Sequence, residues 1–262
     1  MQAVNRHQLF LASRIALIFT AMTFAFRAGL TKVWHDEFTL TNEQLGWIFS
    51  PAFYGFTLAM IFGGPLCDLL GMKRLLVLAF LGHIGGVVIY LLAKDATMLF
   101  AGTLCIGIGN GMVEAACNPL TVSLYSENKT TMLNRFHVWF PGGIVIGGIL
   151  SYFIIDQWHL NWRILIALLF IPALIYGAMF FKLQFPQTER VTRGVSTAKM
   201  FASCLNPLFL VMLACMFLTA ATELGTNQWL GALLQGAGVS GILVLVFING
   251  LRSKRVILLN GT

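Results

Sequence analysis

Apolar residues run in long, unbroken stretches along the chain, at positions 9–30, 45–66, 75–93, 98–122, 136–155, 164–181 and 207–234, with a shorter one at 239–251. Each of the first seven is close to the ~20 residues an α-helix needs to cross a bilayer, and none alternates with the period of two that a barrel strand requires. The pattern predicts an all-α, polytopic membrane protein. Arg6 and Arg14 ahead of the first run imitate a signal peptide. The apolar character continues to Leu30, however, and no small-residue cleavage pattern precedes the next polar stretch, so the first run is expected to be a span.

Composition narrows the class further. Hydrophobic residues make up 58% of the 262 positions and charged residues 10%, against about 25% charged in soluble domains. A soluble globular enzyme, a disordered chain and a disulfide-stapled secreted domain are excluded. The net charge of +7 is not gathered into one patch. If the N-terminus faces the cytoplasm, thirteen of the seventeen Lys and Arg fall in cytoplasmic segments and three (Lys32, Lys94, Arg163) in outer loops, with Arg27 inside a span. That bias predicts a cytoplasmic N-terminus in a cell membrane. Trp34, Trp47, Trp158, Trp162 and Trp229 lie near the outer ends of spans, as an aromatic belt would. Cys67, Cys105, Cys117, Cys204 and Cys215 occur singly and read as small packing residues rather than metal ligands or a redox pair.

The longest hydrophilic stretch, 182–206, carries Lys182, Arg190, Arg193 and Lys199 against Glu189 alone, and Asn206-Pro207 then restarts a helix with a cap and a first-turn proline. The expected organisation is a six-helix bundle at 1–182, a basic cytoplasmic linker at 183–206, and the start of a second bundle at 207–262. That last part comprises one full helix, one partial helix and a basic tail. A weak internal repeat agrees: Arg27 and Gly29 in the first span match Glu223 and Gly225 in the seventh, and Gly46 and Gly241 open the spans that follow.

Arg27, Glu114 and Glu223 lie well inside spans. Left charged in lipid, each would cost about 2.5–3.5 kcal/mol, so each should face the bundle interior or a wet cavity. Asn110, Glu114 and Asn118 are spaced i, i+4, i+8 on one helix face, and Thr219, Glu223 and Asn227 repeat that spacing. A carboxyl group away from water favours its neutral form and gives up the proton when its cavity wets. Glu114 and Glu223 are therefore expected proton carriers. Arg27, which stays protonated, is a fixed positive charge that either pairs with a glutamate or attracts an anion.

The turn between the second and third spans reads Gly64-Pro-Leu-Cys-Asp68-Leu-Leu-Gly71-Met-Lys73-Arg74. It resembles the signature of the major facilitator superfamily at this place, and the resemblance implies a gating motif of Gly64, Asp68, Gly71, Lys73 and Arg74 that braces a cytoplasmic gate. Gly111-Met-Val-Glu114-Ala-Ala-Cys-Asn118-Pro119, followed by Leu133-Asn134, is similar to the fucose/galactose/glucose–proton symporter family. So is Glu223-Leu-Gly-Thr-Asn227-Gln228-Trp229, with Asn227 where that family has glycine. The resemblance covers nearly the whole chain to about Gly250. It implies Glu114 as the proton-coupling carboxylate and substrate contacts at Arg27, Asn110, Asn118, His137, Asn227, Gln228 and Trp229. The sequence departs from the family twice. Arg27-Ala28-Gly29 stands where an acid and an asparagine are common, and His137-Val-Trp139-Phe140-Pro141 where a polar asparagine is.

Other patterns are discounted. Gly107-Ile-Gly109-Asn-Gly111 imitates a nucleotide loop inside a span. Gly107 with Gly111, and Gly143 with Gly147, read as close-packing spacings. His83 reads as packed or hydrogen-bonded rather than metal-bound, and Asn128-Lys-Thr130 is a sequon in a cytoplasmic loop. No HExxH, GxSxG or histidine–acid pair supports an enzyme, and no cofactor, metal or nucleic acid is implied.

The eighth run would cover only ~20 Å of the ~30 Å hydrocarbon core, and Arg252, Lys254 and Arg255 arrive where the second span is still apolar. The expectation is a truncated chain whose last dozen residues come from a frameshift or a broken gene. The function expected of the parent fold is a monomeric, proton-coupled symporter that imports a sugar or sugar-like solute. A symporter of an organic anion such as a sugar acid is the second reading, and an inactive carrier fragment the third.

Overall fold

A computed structural model describes residues 4–236, without the side chains at 197, 201, 224, 227 and 231–236. The expected eighth span at 239–251 and the basic tail lie outside the described residues. The element order is α1 (Arg6–Glu37), α2 (Asn42–Phe49), α3 (Pro51–Leu70), α4 (Met72–Leu92), α5 (Ala96–Leu124), α6 (Lys129–His137) and α7 (Trp139–Ser151). A π-helical turn (Tyr152–Gln157) follows, then α8 (Trp162–Ala167), α9 (Phe170–Lys182), α10 (Glu189–Thr192), α11 (Thr197–Ser203) and α12 (Pro207–Gly236). Seven stretches among the described residues are long and apolar enough to cross a membrane: Arg6–Glu37, Asn42–Leu70, Met72–Leu92, Ala96–Leu124, Lys129–Gln157, Trp162–Lys182 and Pro207–Leu230.

The helices begin where side chains can satisfy backbone N–H groups left without helical partners. Asn5 accepts from the Gln8 N–H, Asp95 from Met98 and Asn161 from Arg163, while Thr41 and Gln44 form a reciprocal capping box. Asn206 accepts from the Leu208 N–H at 2.9 Å, which starts α12 where the sequence places a cap. Gly71 joins α3 to α4 at φ +85°, a backbone region that disfavours any residue with a Cβ. The sixth span is broken into α8 and α9 because Pro172 has no N–H to offer the preceding turn.

α1 is the central helix, packed against α5, α7, α9 and α12. Small residues set the closest approaches. A Cβ at Gly107 would lie 2.7 Å from the Pro51 carbonyl oxygen, and one at Gly111 would strike that of Phe56, so α5 meets α3 backbone to backbone. Gly143 and Gly147 do the same for α7 against Ala21 and Ala25 of α1, at 2.7 and 2.8 Å.

Two expectations about side chains are corrected. Trp34 and Trp162 are not belt residues. Both are buried, their rings 5.7 Å apart in an edge contact, while Trp47 and Trp158 are exposed. Trp162 turns inward because its indole N–H donates to Glu37, which also receives Arg163 at 3.0 Å. Arg163 further donates to the carbonyls of Leu91 and Ala93, tying the ends of three spans together. Nor are all five cysteines packing residues. Cys67 and Cys117 are buried and Cys105 is half-buried, whereas Cys204 and Cys215 are exposed.

Candidate functional site

The polar stripe on α5 divides between two neighbours. Asn118 donates to Glu114 at 3.0 Å, and Glu114 is buried. Asn110, one turn earlier, instead donates across to the Thr23 hydroxyl of α1 at 3.0 Å, and Thr23 donates to the Thr20 carbonyl. Around them lies a polar core that sequence reasoning missed. His83 of α4 hydrogen-bonds the Tyr176 hydroxyl of α9 at 2.7 Å and stacks on Phe19 of α1, and Tyr90 of α4 bonds Thr103 of α5 at 2.7 Å. His83 showed in the sequence as a mid-span polar residue. Its partners did not, because tyrosine and threonine are common in apolar helices and only packing shows which of them meet.

Arg27 sits in this core at 1% exposure. Its guanidinium lies 4.5 Å over the Phe24 ring, and Tyr90 is near enough to interact with its charge without being aligned as a hydrogen-bond acceptor. Among the described residues it forms no ion pair. The two glutamates are not brought to it. Glu114 pairs with Asn118 on α5, and Glu223 is half-buried on α12, in a surface groove with Leu218, Thr219 and Thr222.

The remaining expected contacts scatter. His137 is exposed at the end of α6, its ring 5.0 Å from that of Phe136. Gln228 is buried on α12, and Trp229 packs edgewise on Phe49 at 6.0 Å. The side chain of Asn227 lies outside the described residues. A cavity of about 370 Å³ opens between α1, α3 and α12, walled by Phe24, Phe53, Phe56 and Phe217 with Thr57 and small residues between.

At the basic end of the bundle the turn motif is built into a latch. Asp68, in the last turn of α3, pairs with Arg190 at 2.5 Å and accepts from the Thr188 hydroxyl at 2.5 Å. A carboxylate at a helix C-terminus is unfavourable beside the partial negative charge there, and Arg190 offsets it. Thr188 also caps α10, accepting from the Val191 N–H. Glu189 pairs with Lys129 at 2.5 Å, which holds its carboxyl below the usual range. Lys73 donates to the carbonyls of Phe181 and Leu183 at 2.8 and 3.1 Å, closing the end of α9. Gly71 makes the turn, Arg74 is exposed, and a Cβ added at Gly64 would meet open space among the described residues.

Membrane-length helices wrapped around a buried polar core, with a charged latch at one end, define an α-helical multi-pass membrane protein. The family model of the Major Facilitator Superfamily matches residues 10–252, and the chain belongs to that family. Its fold is similar to that in the crystal structure of a D-xylose–proton symporter, with a TM-score of 0.68 at 16% identity over 96% of this chain and 67% of that one. Among curated proteins it is similar to the niacin transporter NiaP of Acinetobacter baylyi, 27% identical over 162 residues, which is 60% of this chain and 36% of that protein. It is also similar to myo-inositol transporter 1 of Candida albicans, 28% identical over 156 residues, 58% of this chain and 27% of that protein. The chain thus spans less than half the length of the curated relatives it matches.

Proposed function

We propose that the chain forms the N-terminal bundle, linker and opening helix of the second bundle of a proton-coupled secondary transporter. It imports a sugar or sugar-like solute across a cell membrane, with the N-terminus on the cytoplasmic side. Glu114 carries the reading. It is a carboxyl group buried in the bundle with one neutral partner, Asn118, and no cation paired to it among the described residues. Such a group holds a proton while dry and releases it when the cavity around it wets, which couples proton movement to the opening of either side. The latch of Asp68, Arg190, Thr188, Glu189 and Lys129 is its gate on the basic side. The fold likeness to a D-xylose–proton symporter and the sequence likeness to a myo-inositol transporter support a polyol or sugar as cargo.

A second reading, uptake of an organic anion such as a sugar acid, is favoured by Arg27. A buried guanidinium with no carboxylate partner among the described residues is a positive charge that an anionic solute would neutralise. The similarity to a niacin transporter agrees, since niacin carries a carboxylate. In vesicles holding the protein, Glu114→Gln is expected to abolish accumulation driven by a pH gradient while leaving counterflow exchange at least partly intact. Undiminished accumulation removes Glu114 from the role. Competition between a hexose and its uronate separates the two cargo readings, and Arg27→Gln is expected to lose any uronate preference. Unchanged affinity for both rejects a binding role for Arg27.

A further inference from the structure

Two polar atoms at the centre of the bundle are buried without hydrogen-bond partners among the described residues. One is Nε2 of His83 on α4, and the other is Oδ1 of Asn110 on α5. A Cβ at Gly109 would lie 2.8 Å from that nitrogen, so the Nε2 edge of the ring is turned onto α5. Asn110 is the next residue, within reach of His83 but short of hydrogen-bond alignment. The unused atoms are complementary, since a ring N–H needs an acceptor and an amide oxygen needs a donor.

A single arrangement of protons satisfies the whole set. The Thr23 hydroxyl donates to the Thr20 carbonyl at 2.6 Å, so towards Asn110 it can only accept. That fixes the amide nitrogen of Asn110 on Thr23, at 3.0 Å, and leaves its oxygen for His83. His83 therefore carries its proton on Nε2, and its bare Nδ1 accepts from the Tyr176 hydroxyl of α9 at 2.7 Å. The other tautomer would set two lone pairs against each other and strand the phenol hydrogen. Phe19, stacked on the imidazole at 4.0 Å, keeps the ring from turning away. The donors thus point one way, from α9 through α4 and α5 to α1.

The amide held by this chain is one that Glu114 would otherwise meet. Asn110 precedes Glu114 by one helical turn, as Asn118 follows it by one. Asn118 already donates to the carboxyl at 3.0 Å. Released from His83 and Thr23, the Asn110 amide would reach the same carboxyl as a second donor, and each such bond favours the ionised form.

We propose that His83 is a positioning residue for Glu114: backed by Tyr176, it pins the Asn110 amide on Thr23 and so keeps a second donor off the carboxyl. The proposal rests on Glu114 as the proton site and adds what sets the proton affinity there. Cys117, further along α5, is a titratable group beside Glu114, with Cys67 of α3 behind it. On the other elements packed against α5, Arg14 lies over Phe10, Arg27 over Phe24, Tyr90 bonds Thr103, Asp68 pairs with Arg190 and Lys129 with Glu189. Glu43, Arg135 and His137 are exposed.

The test reads the proton on Glu114 directly, in the purified full chain in lipid nanodiscs without substrate or gradient. The infrared band of its protonated carboxyl is the one that Glu114→Gln removes, and the loss of that band with rising pH gives a midpoint. His83→Phe keeps a ring on Phe19 but offers no donor. It is expected to lower the midpoint by about one pH unit, a tenfold loss of proton affinity. His83→Gln, which restores an N–H, should return the midpoint to within about twofold of the wild-type affinity. So should Asn110→Ala added to His83→Phe. Asn110→Ala alone should leave it unmoved, because the amide is already held away. Nitrogen NMR spectra of isotope-labelled histidine should show His83 with a protonated Nε2 and a bare Nδ1. If His83→Phe does not fold, as judged by circular dichroism, the NMR spectrum and Asn110→Ala still decide. A proton on Nδ1 in place of Nε2 overturns the proposal, and so does a wild type without the Glu114 band. A midpoint unmoved in His83→Phe, a shift that persists in the double variant, or a rise of about one unit in Asn110→Ala does the same. None of these readings involves transport. Undiminished pH-driven uptake by Glu114→Gln therefore counts against the coupling reading alone, and an unmoved midpoint in His83→Phe against the role of His83 alone.

Discussion

A methyl group added at Gly109 would strike the His83 ring and lie 3.0 Å from the Ala79 carbonyl oxygen. His83 has no room to retreat, because Phe19 stacks on one face at 4.0 Å and Tyr176 holds its Nδ1. Gly109→Ala is therefore expected to lower stability by about 1–3 kcal/mol, the usual cost of forcing volume into a packed interior. Thermal unfolding in detergent measures it, and a midpoint moved by less than ~1 °C would show that the contact yields. The same residues show what a linear reading can and cannot reach. Asn110, Glu114 and Asn118 are visible as a stripe because helical geometry fixes i, i+4 and i+8 on one face. That Asn118 turns to Glu114 while Asn110 turns to Thr23 depends on which helix lies opposite, and no spacing within α5 encodes it.

Between elements, the charged latch is the feature most open to test. Glu189 is held below the usual carboxylate range by its hydrogen bond from Lys129. A carboxyl whose folded value is lowered contributes stability that is present in full above its unfolded value of about 4.3 and is lost as pH falls through the lower, folded value. The grip of α10 on Lys129 is thus expected to hold from neutral pH down to about 4.3 and to weaken below it. A spin-label or fluorescence distance between the linker near Arg193 and the turn near Glu127 should lengthen over that acid range. A distance constant down to the pH of global unfolding would mean that the Asp68–Arg190 pair holds α10 unaided. The linker showed in the sequence only as a basic, solvated stretch. Its Thr188-Glu189-Arg190 segment meets Asp68 and Lys129, some 120 and 60 residues away along the chain, and pairing at that range leaves no local trace.

For the whole molecule, the charge bias and the exposure of Cys204 make one joint prediction. Cys204 is exposed in the segment joining α11 to α12, and Cys215 is exposed on the apolar flank of α12. With the basic end cytoplasmic, a membrane-impermeant maleimide should label Cys204 in inside-out vesicles and spare it in right-side-out ones. Cys215, at membrane depth, should react slowly in both. Labelling of Cys204 from the outer side would reverse the orientation proposed for the chain.

The membrane class, the helical form and seven span positions were determined by the sequence alone, because an unbroken apolar run of ~20 residues has one stable arrangement in a bilayer. The Gly71 turn and the Asn206 cap were likewise local matters of backbone freedom and hydrogen bonding. Tertiary structure decided the rest. It drew Trp34 and Trp162 into the core edge to face, with the Trp162 indole N–H held by Glu37 at the rim. It left Arg27 over Phe24 rather than on a glutamate, and it set four phenylalanines from three helices around one cavity. An apolar run records that a helix crosses the membrane. Its rotation about its own axis is set by the volumes and glycine gaps of its neighbours, and that rotation decides which side chains meet.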